Sequence, residues 1–183
     1  MNHAAGLMPG GGLVMAPMEF IRLIKRLPKM FRFDVVPCAF EVDVDSWTRI
    51  VGIHNEVARQ VIHIPDKWLA GVPDRWELPK PIGGQALGGD CEDMAIERRR
   101  RLMAIGLPEG ALRLALCMTE GGEAHAVLLI EVGAPDAGHW VLDNRRRQVL
   151  PWRSTPYCRA AEGHGRWIAR SVPGSFWWET LEV

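Results

Sequence analysis

No CxxC pair and no zinc-ligand spacing occurs in this chain. Its four cysteines, Cys38, Cys91, Cys117 and Cys158, stand far apart. That excludes a zinc finger and, at 183 residues, argues against a disulfide scaffold, so a reduced compartment is expected. A dominant charge sign is missing too. Basic and acidic residues number 22 each and the formal net charge is zero, which removes any global pull towards nucleic acid or an anionic membrane. No run reaches the ~18 apolar residues of a membrane span. The first 18 residues lack the basic start and unbroken apolar stretch of a signal peptide. They are interrupted by Pro9, Gly10, Gly11, Gly12 and Pro17 and read as a flexible tail, with Met15 and Met18 as further candidate starts. A cytoplasmic location is the expectation. What is present is apolar content of 48%, enough for one folded domain over 19–183, with no internal repeat.

Residues 19–33 form a basic amphipathic stretch cut by Pro28, read as packing its apolar side on the domain. Asp45 and Ser46 offer helix caps. Trp47, Ile50, Val51, His54, Val57, Ala58 and Val61 follow at helical spacing, predicting a helix over 46–63. Residues 64–89, rich in proline and glycine, read as a long and therefore functional loop. A second helix begins near Cys91 and stops at Gly106 and Pro108. Strand-like runs follow at Leu112–Met118, His125–Val132 and Trp140–Leu142, with a fourth near Val149-Leu150. Short turns between them predict an antiparallel meander. The tryptophan-rich C-terminal part shows little periodicity. Helices followed by a sheet give an α+β class.

The chemistry centres on Gly89-Asp90-Cys91-Glu92-Asp93. A cysteine at a helix mouth meets unpaired backbone N–H groups and the positive end of the helix dipole, which favour the thiolate. A lone cysteine is more often a small buried hydrophobe. Here a glycine pair precedes it and three carboxylates flank it, poor company for a core residue, whereas Cys117 lies in an apolar strand and reads as core. His125 opens the run Ala126-Val127-Leu128-Leu129-Ile130. It is either a satisfied core histidine or the base that a thiol needs. Asp143 ends Trp140-Val141-Leu142 and precedes Asn144. It is either a turn former or the group that orients an imidazole. Asp90, Glu92 and Asp93 either favour the helix N-terminus or hold a hard cation such as calcium. As bare anions they oppose ionisation of the thiol. Arg98–Arg101 and Arg145–Arg147 read as solvated surface rather than nucleic-acid contacts, since no aromatics are interleaved with them.

Taken together, Gly89-Asp90-Cys91-Glu92-Asp93 before a helix, Ala124-His125-Ala126-Val127-Leu128, and Val141-Leu142-Asp143-Asn144 resemble the bacterial transglutaminase-like cysteine proteinases. Asn55, Asp66, Trp68, Gly71, Asp74 and Trp76 agree upstream, and the resemblance spans roughly residues 45–170. It implies a papain-like, transglutaminase-like α+β fold, with the nucleophile at the N-terminus of a helix packed on an antiparallel sheet. It assigns Cys91 as nucleophile, His125 as base and Asp143 as the residue orienting His125. Members of the family include periplasmic proteases that cleave a large surface adhesin under cyclic-di-GMP control and use calcium. In them the acids around the cysteine take part in calcium binding, which makes Asp90, Glu92 and Asp93 calcium candidates. By analogy the periplasm is the alternative location. Trp76, before the cysteine motif, is a candidate for the cleft wall or the oxyanion site. Gln85 is a second oxyanion candidate, because a side-chain amide can donate to a developing oxyanion.

The expected activity is thiol acyl transfer, hydrolysing a peptide bond of a protein or peptide substrate, with no cofactor required for the chemistry itself. Transglutaminase or deamidase action on side-chain amides is the alternative from the same site. A non-catalytic binding module that keeps the fold is a second alternative. A Cys/His zinc hydrolase is a third, without a recognisable ligand spacing.

Overall fold

The computed structural model describes residues 6–134, 137–158 and 165–182. Its centre is a seven-stranded antiparallel sheet. The strands are β1 (Gly10–Met15), β5 (Leu112–Met118), β6 (Ala124–Val132), β7 (Gly138–Leu142), β8 (Leu150–Pro151), β9 (Arg166–Ser171) and β10 (Trp177–Leu181), in the order β1-β10-β9-β5-β6-β7-β8. A second sheet of three short strands, β2 (Val61–His63), β3 (Lys80–Gly83) and β4 (Ala86–Gly89), has the order β2-β4-β3. Four helices, α1 (Met18–Arg26), α2 (Val44–Gln60), α3 (Asp66–Leu69) and α4 (Cys91–Ala104), complete the α+β architecture that the sequence predicts.

The central strands are apolar on both sides because both faces of the large sheet are covered. Along β6, Leu128, Ile130 and Val132 face a core that includes Leu23 of α1, Ile50 of α2 and Ile96 of α4. Val127 and Leu129 face a second core with Cys117, Trp152, Tyr157 and Trp167. Leu128, Leu129 and Ile130 are fully buried, each contributing about 1.5–3 kcal/mol. The meander β5-β6-β7-β8 is the predicted one, with Leu128 opposite Leu142.

Several elements differ from the sequence reading. The segment read as a flexible tail contains β1, which pairs antiparallel with β10, and Met8 and Ala16 are buried. Residues 1–5 lie outside the described residues. Glycine-rich backbone pairs without side-chain alternation, so no period-2 signal announced the strand. Helix α2 starts two residues before the predicted 46. Asp43 is the cap, its side chain accepting from Ser46 N–H at 2.7 Å while Ser46 Oγ accepts from Asp43 N–H at 2.9 Å. The helix ends at Gln60, and His63 belongs to β2. The stretch read as loop over 64–89 holds α3, β3 and β4, and the C-terminal part holds β9 and β10. Helix α1 buries Phe20, Leu23 and Ile24 against the core, as its amphipathic pattern predicts.

Half of the Arg98–Arg101 run departs from the solvated surface expected for it. Arg98 is fully buried and Arg99 nearly so. Arg99 pairs with Glu109 at 2.8 Å, while Arg100 and Arg101 pair with Glu97 at 2.7 and 2.6 Å. Helix α4 is enclosed on almost every side, between α2 and β6, and charged residues facing inward there must go under.

Candidate active site

Strand β4 delivers the chain to Cys91 through Gly88, Gly89 and Asp90, all buried. A Cβ added at Gly89 would come within 2.9 Å of the Asp93 side chain, so the strand-to-helix turn is too tight for any other residue there. Asp90 is the N-cap residue of α4 but makes no side-chain cap bond. Cys91, partly buried, therefore sits on the first turn of α4, where helical N–H groups lack intrahelical acceptors.

His125 stands near the start of β6. Asp143 follows Leu142 directly, diagonal to His125 across the β6–β7 pair and on the same side of the sheet. His125 Nε2 and Asp143 Oδ1 lie 2.8 Å apart, both side chains buried. That leaves Nδ1 as the ring atom available to a thiol proton. Oδ1 also accepts from Arg145 N–H at 2.9 Å, and Oδ2 accepts from the Tyr157 hydroxyl at 2.6 Å. Cys91 and His125 open onto one cleft, also lined by His63, Thr119, Glu123, Asn144 and Arg145.

Burial opposes ionisation of Asp143. The His125 hydrogen bond and charge, the Tyr157 hydroxyl and the Arg145 N–H outweigh it and hold the carboxyl below its ordinary range. Cys91 experiences the reverse. Burial pushes its thiol up, and Glu92, which accepts the thiol S–H at 2.9 Å, adds to this by charge and hydrogen bond. The Ala126 N–H works in the opposite direction. Behind the pair, His54 of α2 is pushed down to about 4 by burial and by Arg98, and so stays neutral, with its Nε2 on the Arg146 carbonyl at 2.9 Å.

The family model of the bacterial transglutaminase-like cysteine proteinases matches residues 11–170. The chain belongs to this family. Among solved structures, Legionella pneumophila LapG in its calcium-bound form aligns at 22% identity with a TM-score of 0.52, covering 68% of this chain and 64% of that one. A second structure of Legionella pneumophila LapG aligns at 20% identity with a TM-score of 0.51, covering 73% of this chain and 68% of that one. Both likenesses are of fold: this member of the family shares the LapG architecture and spans about two thirds of the LapG chain. No curated protein matches it significantly.

Two residues assigned from the sequence lie away from the cleft. Trp76 is 4% exposed in the helix-side core, edge-on to Phe20 and Trp178 at ring distances of 5.9 and 6.1 Å. It neither walls the cleft nor reaches an oxyanion position; its large apolar ring is what the core beside α1 takes up. Gln85 is exposed between Gly84 and β4, at the far end of that strand from Cys91. The four strand residues Ala86–Gly89 and Asp90 separate it from Cys91, up to about 20 Å of extended chain, and it does not line the cleft that holds the thiol.

The acids around Cys91 gather with two that the cysteine motif alone does not reveal. Single oxygens of Asp66, Asp90 and Asp93 lie within 4.8 Å of one another, and so do those of Asp66, Asp74 and Glu92. Asp66 Oδ1, Asp90 Oδ1 and Asp93 Oδ2 are buried with no hydrogen-bond partner among the described residues. Burial is the first cause raising all four buried acids. Asp66 is pushed up to about 6, Asp93 to about 8 and Glu92 to about 9, while Asp90 rises as well. Buried, mutually repelling oxygens without donors suit a hard divalent cation.

Proposed function

We propose that this chain is a cysteine peptidase that cleaves a protein substrate by acyl transfer through Cys91, His125 and Asp143. The observation that carries the reading is the buried His125–Asp143 pair at 2.8 Å, sharing its cleft with a cysteine on the first turn of a helix. His125 takes the thiol proton at Nδ1, and Cys91 Sγ attacks the substrate carbonyl. Asp143 keeps the Nε2–H in place and stabilises the imidazolium that forms. The N–H groups of the first α4 turn, which lack intrahelical acceptors, take the developing oxyanion. The imidazolium then gives its proton to the leaving amine. His125 next deprotonates a water that attacks the thioester, releasing the acid and restoring the thiol.

Asp66, Asp90, Asp93, Glu92 and Asp74 would hold calcium, the cation present in one of the LapG structures. When bound, the ion supplies positive charge that lets these acids stay ionised without opposing the Cys91 thiolate. Asp90 and Glu92 carry the field that the thiol has to overcome, and their oxygens are the ones a cation would take up.

The test is alkylation and cleavage together. Iodoacetamide at neutral pH is expected to label Cys91 ahead of Cys38, Cys117 and Cys158. In a proteome digest, wild type but not Cys91→Ala should generate new protein N-termini. Equal labelling, or new termini from Cys91→Ala, would remove the reading. New isopeptide cross-links in place of new termini would make the chain a transglutaminase.

A further inference from the structure

Tyr157 is the chain's single tyrosine, and it is fully buried. It lies in a segment after β8 that no sequence periodicity marked. Its hydroxyl donates to Asp143 Oδ2 at 2.6 Å and accepts from Arg145 Nη1 at 3.2 Å. The same Arg145 nitrogen donates to Glu120 Oε2 at 2.8 Å in the β5–β6 turn, while the Arg145 backbone N–H takes Asp143 Oδ1. The Tyr157 ring is wedged edge-on against Trp167 at 5.3 Å and lies 6.1 Å from His125. Three segments that meet only at the end of the sheet thus converge on one carboxylate, and each of its oxygens is occupied from a different side.

We infer that Tyr157 is a positioning residue for the reaction. Braced by Arg145 and Glu120, it fixes the rotation of the Asp143 carboxylate and sets how tightly that carboxylate holds the His125 proton. The inference rests on the proposed roles of His125 and Asp143. A carboxylate bound only through Oδ1 can turn about its Cβ–Cγ bond, and the imidazole would turn with it. Tyr157 removes that freedom by binding Oδ2. Its proton also draws charge away from the carboxylate, so the imidazolium faces a weaker counter-charge. Burial and the adjacent Asp143 raise the phenol above its ordinary range, so it stays a donor throughout the working pH range. Among the described residues, the other ionisable groups around the pair are Cys91 and Arg98 on α4, His54 on α2, His63 on β2, Cys117 on β5 and Glu123 at the cleft rim.

Because the chain has one tyrosine, growth on 3-fluorotyrosine alters this hydroxyl and no other. Fluorine makes the phenol a stronger donor, whereas Tyr157→Phe removes the donor and keeps the ring. The experiment follows the His125 imidazole titration by NMR in the full chain, assigned by its loss in His125→Ala. It also measures kcat, KM and thermal melting of each form. The expected result is a titration moved to higher pH by Tyr157→Phe and to lower pH by fluorotyrosine. Tyr157→Phe should also lower kcat about tenfold with KM within about twofold. A role in packing alone cannot give shifts of opposite sign from two rings of nearly equal shape. An unmoved titration in both forms overturns the inference, as does a loss of kcat that only tracks the folded fraction. If Tyr157→Phe does not fold, the fluorotyrosine shift decides alone. Opposed shifts in a wild type that cleaves nothing would remove the peptidase reading and keep the link between Tyr157 and His125. Cleavage without any shift would do the reverse.

Discussion

Without a cation, the acid cluster beside Cys91 should make the protein less stable as pH rises from 5 to 7. In the folded chain Glu92 is pushed up to about 9 and Asp93 to about 8, burial being the first cause for each. In the unfolded chain both titrate near 4. These two acids therefore hold about two more protons in the folded state than in the unfolded state across this window. Stability from these protons is present below the unfolded values and is lost as pH climbs towards the folded ones. Two protons give a slope of about 2.7 kcal/mol per pH unit, or about 5 kcal/mol over two units. A typical domain has only about 5–15 kcal/mol in total, and for a chain of this size the loss corresponds to a Tm drop of about 10–20 °C. Calcium would remove the dependence, because its ligands are ionised when bound and the proton difference disappears. The assay is thermal melting at pH 5, 6 and 7, in EGTA and in millimolar calcium, at fixed ionic strength. A metal-free Tm that is flat or rises between pH 5 and 7 would refute the reasoning. So would a fall that calcium leaves unchanged.

Asp143→Asn should keep the fold and lower kcat by about 10²–10⁴, because an amide no longer imposes the tautomer with the proton on Nε2; steady-state kinetics at saturating substrate reads it. Trp76→Ala should cost about 3–5 kcal/mol in urea unfolding and leave the Cys91 alkylation rate of the folded protein unchanged, since the ring fills the core rather than the cleft. Gln85→Ala should leave kcat/KM within about twofold, and a hundredfold loss would restore it as an oxyanion donor.

The parts of this protein legible in its sequence are those where one local rule decides. Helix α4 is announced by the acids in its first turn and stopped by Gly106 and Pro108. Strands β5, β6 and β7 are apolar runs of strand length between short turns. The three motifs around Cys91, His125 and Asp143 were readable because each joins a polar residue to the end of an apolar element, where only a specific partner makes it welcome. What was not legible depends on contacts between distant segments. Arg98 looks like its exposed neighbour Arg100, and only the packing of α2 and β6 around α4 puts it inside. Strand β10 reads Trp-Trp-Glu-Thr-Leu, and nothing local says that Trp178 is fully buried while Trp177 is half-exposed. Trp76 is assigned by its place before the cysteine motif and Gln85 by lying six residues before Cys91, so both rest on nearness along the chain. That measure fails when β4 lies between, pointing one residue's surroundings away from the other's. Tyr157 carried no signal beyond being the only one of its kind.

The pairing of β1 with β10 joins the two ends of the chain, Gly10 lying opposite Leu181. Contacts so far apart in sequence carry the largest loop-closure cost, so this edge of the sheet is expected to close late in folding. Until it closes, β10 presents an open strand edge flanked by Trp177 and Trp178, a ready template for a neighbouring nascent chain. A product of initiation at Met18 would never close it. Such a short form should keep Cys91, His125 and Asp143 and yet be recovered mainly as aggregate.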